Sequence, residues 1–120
     1  MTAPDEVPVH NPVDVERRIE ELATRIAKGV AVVTAAERDA RARRREADLT
    51  YAHAYLNADG PAHERRYAAD ITSMPAREAA ELAELAFRHA ERTAKALEKE
   101  LIAWQSIGSS IRTMYGSGRA

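Results

Sequence analysis

The sequence predicts an all-α protein built as a long antiparallel helical hairpin. Three observations predict it. Apolar residues recur at helical spacing through both halves of the chain. The only Gly-Pro pair, inside "YLNADGP" at residues 55–61, interrupts that pattern close to the middle. No segment alternates apolar and polar residues as a half-buried strand would, and the β-branched "VAVV" at 30–33 is short and lies inside a helical repeat.

Residues 1–10 hold two prolines and read as a disordered arm. The first helix then has a clear start. Asn11 suits the N-cap, Pro12 the first helical position, and Asp14 the first turn, where the helix dipole favours a negative charge. Val15, Ile19, Leu22, Ile26 and Val33 follow at spacings of three, four and seven, which is a single apolar stripe close to a heptad seam. Farther on the seam positions are Ala40 and Ala47, so the first half of the helix is expected to be the better packed. Gly29 costs about 1 kcal/mol relative to alanine without ending so long a helix.

The helix is expected to run over about 12–57, with a turn at 58–61. Gly60 supplies positive φ there and Pro61 opens the next helix. A short extra helix is expected over 61–71. It ends at "TSMP", residues 72–75, because Pro75 lacks a backbone donor and crowds the carbonyl four residues earlier. The last helix is expected over about 75–113, with Leu82, Ala86, Ala90, Leu97, Leu101, Trp104 and Ile111 on its apolar face, and residues 116–120 form a flexible tail. The hairpin thus occupies 11–115, with arms of about 60–70 Å at 1.5 Å per residue. Two helices cover only part of their seams, so a homodimer completing a four-helix bundle is expected.

Composition agrees with a thin helical seam rather than a thick core. The chain has 120 residues, enough for one small domain, and much of its apolar content is alanine, with one Phe and one Trp. Charge is high and nearly balanced, 18 basic against 19 acidic residues, as in coiled coils, and gives no net field for nucleic acid. With no cysteine, disulfides and thiolate metal sites are excluded. The start "MTAPDEVPVHNP" has neither the basic residues nor the apolar run of a Sec signal, and no run approaches a membrane span. The expectation is a cytoplasmic protein without membrane association.

Few residues group into chemistry. His10, His53, His63 and His89 include no pair four apart on a helix and have no carboxylate in a ligand pattern, so neither metal nor other cofactor is expected. There is no Gly-rich phosphate loop and no nucleophile elbow. A thin hairpin also offers little concave volume for a small-molecule substrate. No catalytic residue is assigned, and the chain is read as a non-enzyme.

Three surfaces are candidates for contact instead. The Arg-rich "RDARARRREAD" places Arg38, Arg41 and Arg45 on one side of the helix, with Glu37, Asp39, Glu46 and Asp48 around them. They suit phosphate, or they belong to a solvated, salt-bridged helix face. Tyr51 and Tyr55 share a face four residues apart, and Tyr67 follows the turn. With Arg65 and Arg66 they form either an aromatic platform for a base or a plug that closes the tip. Trp104, Ile107, Ile111 and Met114, in the weakly charged stretch "LIAWQSIGSSIRTMYG", either anchor a partner or pack on the Val15–Ile26 end of the first helix.

"YAHAYLNADGPAHERRYAAD" resembles the "YAxAYLxAxGxxxERxxxA" text of small helical accessory proteins of tailed bacteriophages and prophages. "AKALEKELIAWQSIGSSIRTM" is similar to the C-terminal helix of those proteins. The matching positions are Tyr51, Ala54, Tyr55, Leu56, Gly60, Glu64 and Arg65, then Leu97, Leu101, Gln105 and Ser106, over a little more than half the chain. The family carries a more basic run where this chain has "IAWQSIGSS", so anion binding does not carry over to the last helix. The resemblance implies a non-enzymatic protein of phage DNA metabolism, in the recombination or replication module, at work in the host cytoplasm. It would bind nucleic acid or a protein of that module. A scaffold or head–tail component of the virion is the alternative. A hairpin secreted by a type VII system fits less well, because Tyr55-x-x-x-Asp59 lies at the tip and the Trp-x-Gly turn is missing.

Overall fold

The computed structural model describes residues 10–117. The arm expected over 1–10 lies outside them except for His10, and the tail does from residue 118 onward. Two helices make up the fold, α1 (Pro12–Asn57) and α2 (Ala62–Ser117), packed as an antiparallel hairpin, with no strand among the described residues.

The start of α1 is built as its sequence suggests. Asn11 Oδ1 accepts a hydrogen bond from the Val13 amide at 2.9 Å, and the Asn11 carbonyl accepts the first helical bond, from the Val15 amide at 3.0 Å. Asp14 lies in the first turn. At the other end Gly60 has φ 99°, a conformation that side-chain-bearing residues rarely adopt, and this lets the chain reverse within four residues. The Pro61 carbonyl then receives the amides of Glu64 and Arg65, both at 3.1 Å, and α2 begins.

One expectation fails here. No short helix ends at residues 72–75; α2 runs unbroken through Pro75. Pro75 deprives the Ile71 carbonyl of its donor and pushes the ladder apart, but the neighbouring Asp70 carbonyl gains two side-chain donors. Arg77 Nη2 reaches it at 2.8 Å and Ser73 Oγ at 3.4 Å. The proline itself is exposed, away from the seam. Of the tail expected over 116–120, Gly116 and Ser117 are helical instead, and the rest lies outside the described residues.

The seam of α2 is a strict alternation of four- and three-residue steps. It passes through Ala69, Ser73, Ala76, Ala80, Ala83, Phe87, Ala90, Ala94, Leu97, Leu101, Trp104, Gly108 and Ile111, and none of these is exposed. The expected stripe slipped phase in its first part: Leu82 is 67% exposed and Ala86 is exposed as well. Stepping back from Leu97 by three and four reaches Ala94, Ala90, Phe87 and Ala83. Leu82 is the larger residue but faces out, and the adjacent Ala83 faces the seam.

The chain packs as two compact units, each of which closes its own part of the hairpin. The first joins the segments up to Lys28 and from Lys95 on. Its seam is large: Val15 and Leu22 are fully buried, and Ile19, Ile26, Leu97, Leu101, Trp104 and Ile111 are half-buried. The second, Gly29–Ala94, holds the tip, and its buried residues are Ala40, Ala47, Ala69, Ser73 and Ala83. Its fully covered side chains are no larger than a methyl or hydroxymethyl group, with Val33, Tyr51, Tyr55 and Phe87 half-buried around them. The better packing expected for the first half of α1 is therefore observed.

Candidate interaction surfaces

At the tip, Arg65 is a structural clasp. Its Nε donates to the Tyr55 carbonyl at 3.1 Å and its Nη2 to the Leu56 carbonyl at 3.5 Å. The guanidinium carbon also lies 4.7 Å from the centre of the Tyr55 ring. The last turn of α1 has no basic residue of its own. Its unpaired carbonyls and the negative end of its dipole receive their cation from the first turn of α2 instead. Tyr55 and Arg65 are thus occupied by each other. Tyr51 and Tyr55 are half-buried, while Tyr67 is 67% exposed on the outer face of α2, so the three tyrosines do not form one platform. The seam phase of α2 turns Tyr67 away from its expected companions.

The Arg-rich segment divides. Arg41 pairs with Glu37 at 2.7 Å, and Arg43 pairs with Asp39 at 3.5 Å and Glu46 at 4.0 Å, as on a solvated helix face. Arg38 and Arg45 are exposed and form no ion pair among the described residues, and the same holds for Arg66 just past the turn. Arg38 and Arg45 are seven residues apart, hence on one side of α1, and Leu49 and Leu56 continue that line toward the tip, 59% and 69% exposed. Arg44 instead borders an open groove of about 270 Å3 with Ala40, Ala47, Asp48, Arg77 and Glu81. Its floor is alanine and its rim carries both signs, with no nucleophile or base set over a substrate-sized cavity.

In the first unit the C-terminal candidates separate as well. Trp104 and Ile111 are seam residues, and the Trp104 ring meets His10 edge-on at 5.1 Å between centres. His10 is thereby part of the packed structure and not of an arm. Ile107 and Met114 border an open groove of about 370 Å3 with His10, Ser106, Ser110 and Tyr115. The reading as packing describes Trp104 and Ile111, and the reading as surface describes Met114, which is 72% exposed.

Among the described residues, one ion pair joins the two helices in this unit. Arg18 Nη2 donates to Glu100 Oε1 at 2.6 Å and Arg18 Nη1 to Glu21 Oε2 at 3.3 Å. The Arg18 hydrogen bond holds the Glu100 carboxyl below its ordinary value. Partial burial opposes this, while the charge of Arg18, a hydrogen bond from Trp104 and the charge of Arg25 add to it. Arg18 is raised in turn, chiefly by the hydrogen bond to Glu100.

Among the described residues no group of three or more histidines and carboxylates could hold a metal ion, and no helix is long and apolar enough to cross a membrane. Comparison with protein-family models, with curated proteins and with solved structures gives no match.

Proposed function

We propose that this chain is a non-enzymatic accessory protein that binds nucleic acid along the outer face of α1, in the phage-like DNA metabolism that its sequence resemblance implies. The observation that carries the reading is the sorting of arginines. Arg41 and Arg43 are neutralised on the helix, whereas Arg38, Arg45 and Arg66 are exposed without an ion pair among the described residues. Arginine in that state suits phosphate, and the exposed Leu49 and Leu56 beside it suit the faces of unpaired bases. The grooves are open and set no nucleophile or base over a substrate-sized cavity, which favours binding over chemistry.

Three phosphate contacts are few, so binding should be weak and moderately salt-dependent. For a single strand they predict a loss of affinity of about 20-fold between 50 and 200 mM salt. Fluorescence anisotropy with a labelled single-stranded oligonucleotide measures it. Arg38→Ala and Arg45→Ala should each weaken binding for all sequences and make the salt dependence shallower by about one contact. No binding at 50 mM salt, or binding indifferent to both substitutions, would remove this reading. The virion or assembly alternative is supported by a different feature, the apolar outer face of α2. Co-purification with capsid or portal proteins from an infected cell would favour it.

A further inference from the structure

α2 is apolar on two opposite faces within the tip unit. One is the alanine seam. The other carries Tyr67, Ile71, Met74, Leu82 and Leu85, which are 49–71% exposed. At 100° per residue these five lie within an arc of about 80°, roughly opposite the seam. They form a continuous stripe, broken only by Glu78. One flank holds the other charges near the stripe: Asp70 pairs with Arg77 at 3.8 Å and Glu84 with Arg88 at 3.0 Å, while Glu81, at the stripe's edge, adds a negative charge without an ion pair among the described residues. The other flank is small, with Ala68, Thr72, Pro75 and Ala86.

We infer that this stripe is the interface with a second copy of the chain, and that the two α2 helices cross it antiparallel about a two-fold axis near residue 76. Three observations select that occupant. First, the stripe is nearly palindromic. Antiparallel pairing sets Tyr67 against the partner's Leu85 and Ile71 against the partner's Leu82, while Met74 covers the alkyl stem of the partner's Glu78. Second, Glu78 and Glu81 leave the stripe and its edge net negative, so the face does not draw an anionic polymer, and the small flank lets a helix of the same kind approach closely. Third, the area is sufficient. The five side chains expose about 600 Å2, at the top of what a monomer leaves uncovered. Two copies face to face remove at most about 1,200 Å2, which reaches the lower bound of a stable specific interface. The tip unit also needs the burial, because the residues its own seam buries are four alanines and a serine. This places the dimer contact on the back of α2, not on the open edge of the seam.

Sedimentation of the whole chain at micromolar concentration tests it. The expected mass is twice 13.3 kDa. Ile71→Glu and Leu82→Glu should shift the chain to monomer, whereas Leu49→Glu, equally exposed but on α1, should leave the dimer intact. A second measurement keeps the wild-type surface nearly whole. The chain has no cysteine, so Tyr67→Cys and Leu85→Cys chains can be mixed and oxidised. A 67–85 disulfide between chains is expected, and little 67–67 product, because those positions lie about 27 Å apart along the pair. A wild-type monomer, a dimer unaffected by both glutamate substitutions, or a dominant 67–67 product would each overturn the inference. DNA binding is read separately, so its loss or survival leaves this outcome distinct.

Discussion

At the residue scale, the informative positions are those whose role depends on a partner across the hairpin. Asn11, Pro12 and Asp14 act locally, and their roles as cap, first residue and first-turn charge were legible in the sequence. Gly60 was legible for the same reason, since a φ of 99° is a local demand. Arg65 was not. Its fit to the α1 carbonyls needs the turn to fold first, and a sequence shows only a basic residue in an Arg pair. Glu100 is similar: its partner Arg18 is 82 positions away. That pairing has a consequence for pH. A carboxyl held below its ordinary value of 4.5 adds stability that is complete above the unfolded value and is lost as pH falls through the folded one. Arg18 stays charged throughout, so only the Glu100 end titrates. Glu100→Gln should therefore lower the melting temperature near neutrality, with the gap to wild type narrowing below about pH 4. A gap constant down to pH 2 would mean that the pair contributes nothing through its charge. The half-exposed setting of both side chains keeps the expected effect modest.

At the scale of the element, α2 shows how packing overrides a local signal. Pro75 predicts a break from its own stereochemistry, and a break is what an isolated peptide would show. Within α2 the seam register is continuous from Ala69 through Ala83, on both sides of the proline. Ending the helix would throw one half out of register and uncover its alanines. The Ile71 carbonyl loses its helical donor, while the neighbouring Asp70 carbonyl is held by Arg77 and Ser73. The cost of the proline should still be present in the native state. Pro75→Ala should stabilise the chain, by up to about 3 kcal/mol as for a helix interior, and leave the helix content unchanged. Thermal unfolding followed by circular dichroism measures both. A loss of stability would show that the ring itself makes a contact worth more than the missing hydrogen bond. The phase error at Leu82 belongs to this scale too. In an alanine seam the buried residue is smaller than its exposed neighbour, so reading by hydrophobic size picks the wrong face. The large residues left over, Ile71, Leu82 and Leu85, then make up the second face of α2.

At the scale of the whole molecule, the two packing units differ in what holds them. The first buries Val15 and Leu22 completely and carries the Arg18–Glu100 pair and the His10–Trp104 contact. Fully burying a valine or leucine contributes about 1.5–3 kcal/mol, and an alanine methyl under about 1 kcal/mol. The tip unit buries only alanines and Ser73 to that degree, with Val33, Tyr51, Tyr55 and Phe87 half-buried, so it is expected to be the weaker of the two on its own account. The proposed dimer contact lies entirely within that unit, so its stability should depend on protein concentration while that of the first unit should not. Amide hydrogen exchange at two concentrations separates the contributions. At high concentration residues 69–83 should be protected. On dilution below the dimer dissociation constant their protection should fall, whereas that of residues 15–26 and 97–111 should hold. Equal protection of both units at every concentration would mean that the alanine seam, through close backbone approach, stabilises the tip without a second chain. A fall in both together would mean that the two units unfold as one and that the contrast in side-chain size is not a contrast in stability.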